Sequence, residues 1–316
     1  MRKYVLTGVD GYLGSVAADF ALTIKKPNQK LVFTSYDPEK IPAETRKRYV
    51  DAGAEVKHLS YDNVDEMVAI FKDAEAVSFI STWLIGEGRR RQHGNVINSA
   101  VEAGVKRICY TSFVGADLEK DLPVLPQDHK YTEQLIFKSG LTYTIQRDYL
   151  YADNIINYLA PSWNYCGAKW LNNSGNVPAA YVCRKDCGRV LGALLMGKGE
   201  PNTIYAITGP KLVTDQEYFD KICAASGYKG ELVPYTDEQL YEYWGKQGCP
   251  RDVEDDANKN KSPMKLVMDD LVSTGEVVRR GLMSEANDNI KKLTGREPST
   301  IDDVIKALKD VWPKNE

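Results

Sequence analysis

Three glycines spaced three apart come directly after the first apolar run of the chain, in TGVDGYLG, and no other feature restricts the fold as much. Tyr4-Val5-Leu6 reads as a short buried strand and Leu13 to Ala18 as the opening of a helix. Gly8, Gly11 and Gly14 therefore span a strand-to-helix turn. Such a turn presents backbone N–H groups and the positive end of a helix dipole, an arrangement that holds a pyrophosphate. An ordinary tight βα turn can carry the same glycines, so their meaning depends on the rest of the chain.

Beyond the turn lies a long alternation. The strand candidates KLVFTS, AEVKHL, AVSFIS, KRICYTS and LTYTIQ are separated by helical stretches such as AETRKRYVDAG and NVINSAVEAGV. Right-handed crossovers need a helix between neighbouring parallel strands. The alternation thus predicts an α/β, Rossmann-type doubly wound parallel sheet over residues 1–152, with helices on both faces. Past Asn154, Tyr, Trp and Gly come at irregular spacing, and further helical patterns appear at DCGRVLGALLMG, DQEYFDKICAASG, EQLYEYWGK and DDVIKALKDVW. Residues 153–316 read as a smaller, mainly helical substrate-binding cap that can exchange a strand with the first domain. EDDANKNKSP, polar and turn-rich, reads as an exposed loop.

Composition excludes several functions. With 316 residues, 43% of them apolar, the chain can bury a large core, and a net charge of -3 gives no general attraction for nucleic acid or anionic membrane. Asp10 and the glycines interrupt the N-terminal apolar segment that a signal peptide would need, and no run approaches membrane-spanning length. Six cysteines without a CxxC pair and three histidines supply no zinc-ligand spacing, so no metal is expected. The expectation is a cytoplasmic protein with reduced thiols that acts on a small molecule, with monomer and homodimer both open.

The glycine turn places Thr7, Gly8, Asp10, Gly11, Tyr12, Leu13 and Gly14 around a dinucleotide. The adenosine ribose meets the end of the second strand, at Thr34, Ser35, Tyr36 and Asp37, with Lys40 just beyond. Asp37 accepting from a ribose hydroxyl favours NADH, whereas Ser35, Lys40 and the basic helix around Arg46 holding a phosphate favour NADPH, and both stay open. Asp62 is placed to meet the adenine amino group. Ser81 and Thr82 leave the fourth strand where ribose and nicotinamide contacts fall, with Trp83 next to them on the substrate side. Arg89-Arg90-Arg91 reads as a solvated first turn that needs a nearby acceptor, or as an anion-binding group. His93 shares a helical stripe with Ile97, Ala100 and Val101 and reads as structural, and His58 faces solvent from a strand.

At RRRQHGNVINSAVEAGVKRICYTSF, and again at DHKYTEQLIFKSGLTYTIQRDYLYADN, the chain resembles the NmrA-like branch of atypical short-chain dehydrogenase/reductases. Bacterial NAD(P)H quinone reductases and triphenylmethane-dye reductases are its nearer look-alikes, and isoflavone and pinoresinol-type reductases its more distant ones. The likeness runs from TGVDGYLG to LTGREPSTIDDVI. Two departures stand out. Tyr36-Asp37-Pro38-Glu39-Lys40 replaces the RNPEK-like arginine pattern of NADPH users, and the Tyr-x-x-x-Lys pair is missing, because Leu135 stands four residues after Tyr131.

The resemblance implies an NAD(P)H-dependent reductase that transfers hydride to a quinone, an enone or a similar conjugated, planar acceptor. It also allows an NAD(P)-binding redox-sensing regulator without catalysis. Within DH-x-x-TE it points to His129 as the active-site group, with Lys130 and Tyr131 as substitutes, and it places Ser112 at the position of the short-chain dehydrogenase serine. RDYLYADN looks like the family's RxGxxxEN stretch, so Tyr149 lines the nicotinamide side. Phe113, Tyr151, Asn154 and Trp163 face the substrate, and Trp163, Tyr165 and Trp170 make an aromatic wall.

Overall fold

The computed structural model describes residues 1–252 and 259–315. The centre is a seven-stranded parallel sheet in the order β3-β2-β1-β4-β5-β6-β8. The strands are β1 (Arg2–Leu6), β2 (Gln29–Ser35), β3 (Glu55–His58), β4 (Ala74–Phe79), β5 (Arg107–Phe113), β6 (Thr142–Asp148) and β8 (Thr203–Ile207). Each apolar run found in the sequence is one of these strands; helices cover both faces and bury the inner ones, while the edge strand β3 stays half-buried to exposed. On one face α1 (Tyr12–Ile24) and α2 (Ala43–Asp51) bury residues such as Ala17, Ala21 and Tyr49. On the other, α3 (Val64–Phe71), α4 (Glu87–Glu102) and α5 (Val124–Lys138) enclose a second core around Phe71, Val96 and Ile136. Among the described residues, no helix is long and apolar enough to cross a membrane.

The strand order reverses between β1 and β4, and ligand crevices in open parallel sheets form at such a switch, outside the C-terminal strand ends. The Gly8–Gly14 turn, Ser81 and Ser112 all lie at that edge. The turn's glycines have separate duties. Gly8 adopts φ +66°, a left-handed conformation that glycine tolerates best, and a Cβ on Gly14 would collide with the Gly8 carbonyl oxygen. A Cβ on Gly11 would meet only Gly8 O at 3.5 Å, so its flank stays open.

The seventh strand, β8, comes from beyond residue 152 and pairs with β6. So does the Arg184–Leu195 helix come from beyond it, a segment that the sequence grouped with the cap. This helix lies instead on the sheet against α1 because Gly188 and Gly192 bring the two backbones together: a Cβ on Gly188 would sit 2.8 Å from Leu13 O, and one on Gly192 would collide with Ala17 O. The remaining C-terminal region holds the short parallel pair β7 (Lys169–Asn172) and β9 (Glu231–Pro234), and the helices Asp215–Ser226, Asp237–Lys246, Met268–Arg279 and Ile301–Ala307. Part of the expected EDDANKNKSP loop, residues 254–258, lies outside the described residues.

Candidate functional site

Two cavities meet at the C-terminal edge of the sheet. The outer groove, about 430 Å³, runs along Thr7, Gly8, Asp10, Tyr36, Asp62, Ser81, Thr82 and Trp83. The inner cavity, about 270 Å³, lies between the sheet and the Met268–Arg279 helix and is lined by Ser112, Phe113, His129, Tyr149, Tyr151, Asn154 and Trp170. Ser81 lines both, so the groove and the cavity adjoin there.

The groove fits a dinucleotide in ways that do not depend on the glycine spacing. Helix α1 begins at Gly11 with no side chain capping its first turn and no acidic residue in it, leaving its N–H groups for an anion. Thr7 is fixed beneath the groove: its hydroxyl meets Tyr61 Oη at 2.5 Å and accepts from the Ile80 N–H at 3.2 Å, while Tyr61 donates to Ile80 O. Thr34 lines the groove from the strand end where the ribose was expected, and Tyr61 and Gln92 line it too, two residues that the sequence reading missed. Tyr61 stands one residue before Asp62 in LSYDN, the nearest signal that was available. Tyr12 is exposed at the helix start, whereas the Leu13 side chain is buried in the core and offers only its backbone.

At the adenosine end the structure brings together fewer residues than expected. Tyr36 lies exposed on the groove beside His58, but Ser35 is buried and accepts from the Asp37 N–H, and Asp37 accepts from the Glu39 N–H to cap a 3-10 turn. Ser35, Asp37 and Lys40 do not line the groove. Asp62 does, and it is engaged by Arg91 and Gln92.

Helix α5 carries the DH-x-x-TE segment with four side chains turned inward, which tie it to α4, β5 and β6. Asp128 accepts from the Gly86 N–H at 2.6 Å and from Arg90 Nε at 2.9 Å, which offsets the basic start of α4. Thr132 pairs with His93 Nδ1, and His93 Nε2 accepts from the Thr82 N–H, so the buried His93 is the structural residue its stripe suggested and it fixes the segment joining the two cavities. Val101, placed on the same stripe, is exposed. Glu133 accepts from Ser112 Oγ at 2.5 Å and from two Arg147 nitrogens at 2.9 and 2.6 Å. The Ser112 hydroxyl therefore points its proton at a carboxylate.

His129 is 5% exposed, with Nδ1 2.8 Å from Tyr110 Oη and Nε2 3.3 Å from Arg89 Nη1. A guanidinium only donates, so Nε2 is the acceptor and Nδ1 carries the ring proton toward Tyr110. Burial, with Arg89 and His93 close by, holds the ring well below the ordinary histidine range and keeps it neutral. His129 thus has no N–H aimed into the cavity. Its expected substitutes are turned away on the same helix: Lys130 donates to Leu118 O, and Tyr131 is exposed under the Arg90 guanidinium.

Arg89, the first of the three arginines, is not solvated. It is 6% exposed and lines the inner cavity. Asp148 lines the cavity too, accepting from Tyr151 Oη at 2.7 Å and Gln146 Nε2 at 2.8 Å, and burial pushes its carboxyl up to about 7. Two aromatic expectations are corrected. Trp163 is fully buried against Trp170, Phe219 and Tyr228 and lines neither of these two cavities, while Trp83 stands 77% exposed on the outer groove. Of the expected wall only Trp170 lines the cavity, since Tyr165 stacks on Trp244 outside it. All six cysteines are free, and no cluster among the described residues could hold a metal ion.

A sequence profile of the NAD(P)H-binding family matches residues 11–157. An NmrA-like family domain-containing oxidoreductase of Aspergillus flavus is 26% identical over 97% of this chain and 94% of its own. Quinone oxidoreductase 2 of Escherichia coli is 27% identical over 70% of this chain and 74% of its own. Among solved structures, an NADPH-dependent quinone oxidoreductase of Escherichia coli complexed with NADPH superposes with a TM-score of 0.79 at 23% identity, covering 96% of this chain and 99% of that one. Triphenylmethane reductase of a Citrobacter species, complexed with NADP(H), does so with a TM-score of 0.76 at 22% identity, covering 96% and 99%. These two likenesses show the fold.

Proposed function

We propose that this chain, which carries the NAD(P)H-binding match at residues 11–157 and is similar to an NmrA-like oxidoreductase along nearly its whole length, is a reductase whose acceptor is a quinone, an enone or a similar planar conjugated molecule. The observation that carries the proposal is the junction at Ser81, where the groove beside the uncapped helix adjoins a cavity walled by Phe113, Tyr149 and Trp170. Planar aromatic walls bury a flat ligand at low cost in side-chain order. The dinucleotide, when bound, supplies the hydride.

The residues of the chain divide the remaining work. The α1 N-terminus and the Gly11 flank hold the diphosphate, and the Thr7–Tyr61–Ile80 bonds fix the groove floor. His93 holds the 81–83 segment at the junction through Thr82. Trp170 and the Met268–Arg279 helix wall the cavity on the side away from the sheet, where an acceptor in place would displace water and strengthen the charge interactions around it. The six free thiols suit a reducing cytoplasm, where we place the protein.

The test monitors the oxidation of NADPH and of NADH against a panel of quinones, enones and cationic dyes, with cofactor binding measured separately by calorimetry. Saturable oxidation with a quinone or enone supports the proposal. Cofactor binding with no turnover against any acceptor removes it and favours a regulator of the NmrA type.

A further inference from the structure

The inner cavity contains two charges that no ion pair joins. Arg89, from α4, and Asp270, from the Met268–Arg279 helix, both line it, and the guanidinium's field reaches the carboxyl across it. Among the described residues Arg89 makes no salt bridge; its one hydrogen bond is to His129 Nε2 at 3.3 Å, and its Nε is buried without a partner. A guanidinium has five N–H groups, and leaving them unpaired in a buried place is costly unless an occupant meets them. The other two carboxylates on the cavity wall are already satisfied. Asp148 is held by Gln146 and Tyr151, and Asp215 by Tyr181, Asn172 and Ser174.

We propose that Arg89 is the oxygen-binding group of this cavity: its free N–H groups take a carbonyl or carboxylate oxygen of the acceptor, and His129 is the positioning residue that orients the guanidinium. This deepens the reductase reading and rests on it, because it assumes that the acceptor occupies the cavity. Arg89 dominates over Asp270 because a guanidinium keeps its charge at every working pH, whereas burial raises the Asp270 carboxyl toward neutrality. The acceptors favoured are therefore quinones, enones and unsaturated acids that offer an oxygen, ahead of cationic dyes. His129 contributes by lending Nε2 as an acceptor, and the Tyr110 contact on Nδ1 fixes the ring in that tautomer.

The test uses the whole protein saturated with oxidised dinucleotide, so that it reads binding and not turnover. The probes are 2-naphthoate and 2-naphthylmethylammonium, two flat ring systems of similar shape and opposite charge, titrated by calorimetry. The wild-type protein is expected to bind the naphthoate about tenfold or more tightly than the ammonium, the scale of one charge-assisted hydrogen bond. Arg89→Met removes or reverses that preference, Arg89→Lys keeps part of it, and His129→Gln, whose amide oxygen can still accept, keeps most of it. A wild-type preference for the ammonium, or a naphthoate preference that survives Arg89→Met, overturns the proposal. The wild-type comparison needs no variant to fold. If no acceptor is ever reduced, the reductase reading fails while this binding result still stands on its own.

Discussion

Arg89 Nη1 lies 3.3 Å from His129 Nε2, and the two side chains are buried together at the wall of the inner cavity. This contact assigns the imidazole a holding role. His129→Ala is expected to lower turnover by up to about a hundredfold, the cost of misplacing a reacting partner by about 1 Å, with cofactor affinity unchanged. His129→Gln should recover most of the rate. Steady-state kinetics on both variants checks this, and equal losses in the two would remove the holding role.

Gly11 and Gly14 separate binding from folding within one turn. Gly11→Val fits a backbone already at φ -81°, ψ 161°, so the melting temperature should barely change while dinucleotide binding is lost to a side chain standing on the diphosphate's approach. Gly14→Ala drives a methyl into the Gly8 carbonyl and should destabilise the fold by about 1–3 kcal/mol or more. Calorimetry and thermal melts on the pair distinguish the two effects.

The sheet was readable because each of its first six strands is a short apolar run between turn residues, and a run such as KRICYTS has few other homes. The Arg184–Leu195 helix was misplaced because its packing depends on Gly188 and Gly192 meeting α1 more than 160 positions earlier, a pairing with no local signature. Arg89 was hidden by its neighbours: Arg91 does pair with Asp62 at the surface and the half-buried Arg90 reaches the buried Asp128, while Arg89 itself turns inward to the cavity. Tryptophan identity could not separate Trp163 from Trp170, since the two rings stack and only the second reaches the cavity. Lys130 and Tyr131 failed for a related reason, as neighbours on a helix point about 100° apart and cannot stand in for His129.

The two corrected tryptophans give opposite expectations. Trp163→Ala empties a fully buried site and should cost about 3–5 kcal/mol of stability. Trp83→Ala, at an exposed position on the groove, should leave the melting temperature unchanged and weaken cofactor binding. Denaturant melts and cofactor titrations on both variants check the contrast.

Asp148 makes stability depend on pH. Its folded carboxyl, pushed from an ordinary 3.8 to about 7 by burial, binds a proton more tightly than the unfolded chain does. The stabilisation is therefore complete below about pH 4 and lost as the pH rises through about 7, a change of about 4 kcal/mol at most. Asp148→Asn should flatten that dependence and melt higher than the wild type at pH 8. Melts across the range decide it, and parallel curves for the two proteins would contradict the assignment.

The most direct measurement compares turnover of a quinone or enone using NADPH or NADH that carries hydrogen or deuterium at the transferred position of the nicotinamide. A slower reaction with deuterium, lost in Gly11→Val along with cofactor binding, is the predicted result. Saturable cofactor binding at the groove, with no acceptor reduced and no isotope sensitivity under any condition, would contradict it.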